Sequence, residues 1–222
     1  MAADKLTRES VVERALELAN EDGVEALTIR RLAGRLGVTP MALYWHFKNK
    51  DELVWALAEH LLAGVTADVA PGDPWQKRLR AMVRALVDAM REHPSLPAFL
   101  HSAVEDKHEL ESFKGATEAA LDALSAAGFS PVEGYYIATY LLNASIALVK
   151  DHPGWPADMS EAEQAEALRL RRLHIETLPR DRYPRMVEYG ATLHAPPDIE
   201  RYFTFGIDLM MEGVEGLARR RA

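Results

Sequence analysis

Five basic side chains, Arg30, Arg31, Arg35, Lys48 and Lys50, fall in a stretch that holds no carboxylate between Glu25 and Asp51. The chain of 222 residues is otherwise acidic, with 26 Lys and Arg against 34 Asp and Glu and a formal net charge of -8. A polyanion repels such a protein unless its positive charge is gathered on one face, and here it is gathered locally. Guanidinium and ammonium groups so placed suit phosphate oxygens and the acceptor edge of guanine. The chemistry on offer is nucleic-acid binding, and the competing reading is an ordinary solvated helix pair.

A second constellation is His101, Glu105 and His108, at i, i+4 and i+7, which share one face if that segment is helical. Imidazole and carboxylate at that spacing could ligate a divalent metal, which would make a metal-responsive regulator or a metal-binding helical protein. In a chain with eight histidines a solvated face is the competing account. There is no cysteine, hence no disulfide framework, thiolate ligand or thiol nucleophile. No Gly-rich phosphate loop and no serine in a nucleophile motif is present, so neither an enzyme nor a cofactor is expected.

The basic residues must be held by short helices. Thr28 can cap one whose apolar face is Ile29, Leu32, Ala33 and Leu36, stopped by Gly37. Thr39 then caps a second with Pro40 at its first position, and Leu43 and Phe47 recur at helical spacing. This is a helix-turn-helix pattern. Before it, Thr7 caps a helix with Val11, Val12, Ala15, Leu18 and Ala19 on one stripe, Leu6 able to staple onto Val11, and Gly23 as its end. A fourth helix starts at Asn49, with Glu52 as capping partner, and carries Leu53, Leu57 and Leu61 toward Gly64. It joins head to body.

In the body, Asp73 and Pro74 place a cap and a first-turn proline before Leu79, Met82, Val83, Leu86, Val87 and Met90, with His93 and Pro94 closing that helix. A short segment at residues 99–104 leads to a helix bearing Leu110, Phe113, Ala116, Ala120, Leu121 and Leu124, ended by Gly128. Ser130, Pro131 and Glu133 open the next, whose apolar residues 135–149 are broken by Asn143 and fall short of the ~18 that a membrane span needs. After a breaker-rich loop at residues 151–156, Ser160 and Glu163 cap a helix to about Leu178. Residues 179–197 are Pro-rich and expected to be irregular. A last helix from about Asp198 sets Ile199, Phe203, Ile207, Met210, Val214 and Leu217 on one face before Arg219, Arg220 and Arg221.

Nothing reads as a strand. The expected fold is all-α: an N-terminal three-helix helix-turn-helix domain joined by a fourth helix to a helical ligand-binding and dimerisation domain, with domains at residues 1–66 and 67–222. Gly134, Ala138, Ala144, Gly206 and Gly213 are small enough for close helix packing, so the helices near residues 131–150 and 198–218 could form a four-helix interface between two copies. The alternative is that both faces serve the monomer core. The start, MAADKLTRES, lacks the apolar region of a signal peptide, which points to the cytoplasm.

At YWHFKNKDEL, preceded by GVTPMAL, LTIRRLAGRL and the opening LTRESVVERALELANEDG, the chain resembles the TetR (tetracycline repressor) family of bacterial transcription regulators. GDPWQ and GFSPVEGYY look like parts of a tetracycline-repressor-like C-terminal domain. The resemblance implies a cytoplasmic homodimer on double-stranded DNA, a repressor by family default, with half-site centres ~34–36 Å apart or a multiple of that. It assigns Arg30 to a base and Thr39, Pro40, Met41 and Ala42 to the base-facing turn. Tyr44, His46 and Lys50 fall to the DNA backbone, and Thr28 joins the DNA-contacting set. Leu43, Trp45 and Phe47 are assigned to packing. Pro40 and Met41 stand where the tetracycline-repressor pattern has a polar reader and a proline, which favours thymine methyl contacts.

In the body the resemblance implies a small-molecule site, and by correspondence its lining is Met82, Leu86, Phe99, His101, Phe113, Thr117, Tyr135 and Thr139. Plain core is the competing account of each. His101 and Asp151 lie near the positions of a tetracycline-magnesium site, but Met82 and Thr66 replace polar partners there, so a hydrophobic or aromatic effector of unknown identity is expected and no metal. A body that mainly recruits another protein is a further possibility.

Overall fold

The computed structural model describes residues 6–23, 26–65, 70, 72–97, 111–156 and 158–221. Ten helices and no strand occur among them, so the chain is all-α as expected. In chain order they are α1 (Arg8–Asp22), α2 (Ile29–Leu36), α3 (Pro40–Tyr44), α4 (Lys50–Leu62), α5 (Trp75–Glu92), α6 (Glu111–Ala126), α7 (Pro131–Lys150), α8 (Glu161–Glu176), α9 (Pro184–Gly190) and α10 (Ile199–Arg219).

Local sequence sets the helix ends of the head. The Thr7 hydroxyl accepts the Ser10 N–H at 3.1 Å, and the Ser10 hydroxyl accepts the Thr7 N–H in return. Thr28 receives the Arg31 N–H at 3.2 Å, and Asn49 receives the Glu52 N–H at 2.8 Å. Gly37 ends α2 at φ 67°, a left-handed conformation that costs glycine little and that lets the chain turn into α3 within three residues. The apolar faces then meet. α1 packs on α2 and α4, and α2 on α3, around Leu18, Leu27, Leu32, Leu43, Phe47, Leu53 and Leu57, all fully buried.

In the body, α5, α6 and α7 pack against one another, and α4 lies on α5 and α6. The expected cap at Asp73 is not made: α5 starts at Trp75 without a side-chain cap, and Asp73 pairs instead with Lys77 one turn on, at 3.0 Å. Gly134 faces α6, where an added Cβ would lie 3.2 Å from Leu121 Cδ2. That glycine serves packing within the monomer, whereas Gly213 has open space around its Cα.

Residues 1–150 and 207–222 group into one unit and residues 151–206 into a second. In the second unit α8 packs on α9. The expectation that residues 179–197 are wholly irregular needs correction, because Pro184 starts the seven-residue α9 from its first position. A proline there forfeits no hydrogen bond. Residues 99–104 and Leu110 lie outside the described residues. Among those described, no helix is long and apolar enough to cross a membrane.

Glu133, at the start of α7, is tied to Arg221, just past the end of α10. Glu133 caps α7 with Ser130, and Arg221 donates from Nη1 to its Oε2 at 2.9 Å while lying over the Phe129 ring. The Arg221 bonds, then those from the Ser130 hydroxyl and N–H, hold the Glu133 carboxyl down at about 2. Because the folded value lies below the ~4.3 of an unfolded chain, this tie contributes fully above that value and is lost as pH falls toward 2. A carboxyl NMR titration is expected to give Glu133 a midpoint near 2, moved up toward the ordinary range by Arg221→Ala. An unmoved midpoint in that variant would show that the arginine is not the cause.

Candidate nucleic-acid interface and cavity

α3 is one turn long, and its placement follows from two buried residues four apart. Leu43 and Phe47 are both 0% exposed, so the residues between and before them face outward. Thr39, Pro40 and Met41 are exposed and Ala42 half-buried, with the Thr39 hydroxyl engaged in capping the Ala42 N–H at 3.3 Å. Tyr44 is exposed and His46 half-buried. The assignment of Trp45 to packing is corrected: it is 85% exposed. The reason is geometric. α3 stops at Tyr44, and Trp45, two residues from both Leu43 and Phe47, projects from the opposite side of the turn. Met41 and Trp45 are therefore large exposed apolar side chains within the carboxylate-free basic stretch.

The basic stretch is partly neutralised from outside itself. Arg31 pairs with Asp22 at 2.7 Å and Arg35 with Glu21, both acids at the end of α1. Arg30 is exposed and has no ion pair or hydrogen bond among the described residues. Thr28, also exposed, spends its hydroxyl on the α2 cap, and Lys50 is half-buried at the first position of α4.

Two residues not foreseen as part of the site hold the turn after α3. Arg8 donates from Nη1 to the His46 carbonyl at 2.8 Å and to Glu52 Oε1 at 3.3 Å, and its guanidinium lies 4.4 Å from the Phe47 ring centre. Glu52 Oε2 accepts the Lys48 N–H at 2.8 Å. That backbone bond, with help from Arg8 and against partial burial, lowers the Glu52 carboxyl below its usual range. Its hold on the turn is thus present above the ordinary carboxylate range and lost as pH falls through the lowered value. The sequence offered Glu52 only as a cap for Asn49.

A cavity of about 100 Å³ lies between α4, α5, α6 and α7. Met82, Leu86, Phe113, Thr117, Tyr135 and Thr139 all line it, together with residues the sequence did not assign to an effector site, among them Leu62, Val65, Leu79 and Ala116. Phe99, His101 and Thr66 lie outside the described residues, as do Glu105 and His108. Among the described lining no side chain is charged, and Thr117, Tyr135 and Thr139 supply its hydroxyls. Asp151 is an exposed residue of the second unit. No group of three His, Asp or Glu that could hold a metal occurs among the described residues. The cavity's volume is below the ~300–1,000 Å³ common for ligand clefts.

Residues 11–57 match the family model of bacterial regulatory proteins, tetR family, and residues 69–218 that of the tetracyclin repressor-like C-terminal domain. The chain is 37% identical over 164 residues to the Escherichia coli tetracycline repressor protein class C, covering 71% of each. It is also similar to the transcriptional regulator SCO7222, a TetR from Streptomyces coelicolor, with a TM-score of 0.75 and 26% identity over 96% of this chain and 99% of that one. BioQ, solved with its double-stranded DNA operator, superposes with a TM-score of 0.61 at 26% identity, covering 95% of this chain and 98% of that one.

Proposed function

From the premise that this chain belongs to the tetR family of bacterial regulatory proteins, we propose that it represses transcription in the cytoplasm by binding a palindromic DNA operator as a homodimer. A small hydrophobic or aromatic effector in the α4–α7 cavity releases it. The observation that carries the reading is the exposure of Met41 on α3 and of Trp45 just after it, in the same carboxylate-free stretch as an exposed Arg30 with no partner among the described residues. Exposed apolar groups there suit thymine methyls, and a free guanidinium suits the two acceptors of guanine.

Two copies supply the second head. Val132, Tyr136 and Tyr140 form an exposed row at four-residue spacing on α7, and Phe205 and Leu209 do so on α10. Monomers seldom expose such rows to water, and paired α7 and α10 helices from two chains would bury them. The similar proteins support the rest of the reading: one is named as a repressor, another was solved on an operator. An effector that weakens operator binding ~1,000-fold must bind the released state better by about 4 kcal/mol. An uncharged lining, with Met82 and Phe113 on it, favours an apolar planar molecule that meets the Thr117, Tyr135 and Thr139 hydroxyls at its edge.

Selection of bound fragments from random double-stranded DNA, at stated salt and with native mass determination of the complex, tests this. Enrichment of a palindrome carrying two chains is the expected result. A folded protein that enriches no sequence would sink the reading.

A further inference from the structure

α3 is five residues long, too short to hold its own direction, so its aim is set by what grips its ends. Before it the Val38 N–H donates to the Ala33 carbonyl at 3.0 Å, and after it the His46 and Phe47 N–H groups donate back to Leu43, each at 2.9 Å. The turn of residues 45–49 is also gripped from two other helices. Arg8, the first residue of α1, donates from Nη1 to the His46 carbonyl, and Glu52 on α4 accepts the Lys48 N–H, each at 2.8 Å. Those two backbone groups belong to the peptide units that flank Phe47. The same Arg8 nitrogen reaches Glu52 Oε1 at 3.3 Å and the guanidinium lies on the Phe47 ring, so α1, the turn and α4 close one ring of contacts. A planar guanidinium can serve two acceptors and a ring face at once, which a compact ammonium does not. The Arg8–Glu52 pair is partly exposed, and pairs of that kind add little stability. What the arrangement fixes is a position.

We propose that Arg8 and Glu52 are positioning residues for DNA reading: they clamp the peptide units on either side of Phe47 and so hold α3 at the tilt its exposed residues need, with neither side chain on the DNA. The inference rests on the reading of the head as a DNA-binding unit. Burial of Leu43 and Phe47 fixes which side of α3 faces inward, but apolar contact is non-directional and tolerates a change of tilt. Hydrogen bonds to the flanking peptides are directional and do not. Base contacts are directional too, so a small tilt is felt as lost affinity. Charge gives the proposal a distinctive sign. Removing a carboxylate near a polyanion strengthens binding by charge alone, and removing a phosphate-bound arginine weakens it on every sequence alike. Loss of the clamp weakens the selected operator in both cases.

The test measures operator affinity on the DNA selected above, over a range of salt, for Arg8→Ala, Arg8→Lys, Glu52→Ala, Glu52→Gln and the double variant Arg8→Ala with Glu52→Ala. Each single alanine variant is expected to weaken the selected operator about tenfold, the equivalent of one weakened base contact, with the slope of log affinity against log salt unchanged. The double variant is expected to fall within about threefold of either single one, because each breaks the same clamp. Arg8→Lys keeps the charge and is expected not to recover the loss. Glu52→Gln, whose amide oxygen still accepts the Lys48 N–H, is expected to recover part of it. Losses that multiply in the double variant, a slope reduced by about one in Arg8→Ala with recovery in Arg8→Lys, or unchanged or tighter binding by Glu52→Ala overturns the proposal. If an alanine variant does not fold by circular dichroism, Arg8→Lys carries the test, with the same loss expected and full affinity overturning it. Exchange of the Lys48 amide reads the clamp without DNA and separates its failure from failure of the regulator reading: Glu52→Ala is expected to speed it about tenfold, and an unchanged rate overturns the proposal.

Discussion

Phe47→Ala is expected to cost about 3–5 kcal/mol of stability and to abolish operator binding. The ring is 0% exposed, lies just after α3, and carries the guanidinium of Arg8, the first residue of α1, on one face. Its removal leaves a cavity where the recognition turn is anchored, in a fold whose whole stability is on the order of 5–15 kcal/mol. Urea denaturation of the two proteins checks it, and a loss under about 1 kcal/mol would mean that the head repacks without the ring. Trp45→Ala, two residues away, is the internal contrast. With its indole 85% exposed, it is expected to change stability by less than about 0.5 kcal/mol while weakening operator binding.

That contrast marks where the sequence was legible. Helix starts at Thr7, Thr28, Thr39, Asn49 and Ser160 were readable because a cap depends on a side chain and an N–H three residues on. Nothing distant can overrule it, short of a competing partner. Asp73 found such a partner in Lys77, and the cap was not made. Trp45 was misplaced because aromatic type suggests burial, whereas the face a residue presents depends on where α3 stops.

The site shows the same division. Local clustering of Arg30, Arg31 and Arg35 was visible in the sequence, but their partners were not. Glu21 and Asp22 lie at the end of α1, and only the packing of α1 on α2 brings them to Arg35 and Arg31. The six described side chains expected at an effector site do converge on one cavity, yet Leu62, Val65 and Leu79 beside them are indistinguishable in type from core. An apolar residue lines a cavity when its neighbour falls short of it, and that is a property of four helices together. Contacts of polar residues are hidden for a related reason: Glu59, near the end of α4, reads as solvated, yet its Oε1 accepts the Ser112 N–H at 2.7 Å.

Among the three arginines of α2 the structure singles out one, and this gives the second large expected effect. Arg30→Ala is expected to weaken the preferred operator by about 10–100-fold, as loss of a bidentate guanine contact would, and to relax preference at particular base pairs. Arg31→Ala removes a guanidinium already engaged with Asp22 and is expected to cost less than about threefold. Lys50→Ala should act differently from both. An ammonium on phosphate carries no sequence information, so binding is expected to weaken on all sequences alike, with the slope of log affinity against log salt reduced by about one. Titrations of selected and scrambled duplexes over a range of salt separate the cases. Identical profiles for Arg30→Ala and Lys50→Ala would end the division of labour. Equal losses for Arg30→Ala and Arg31→Ala would mean that the Asp22 pair opens on DNA, so that the free head's ion pairs do not decide which cations reach the duplex.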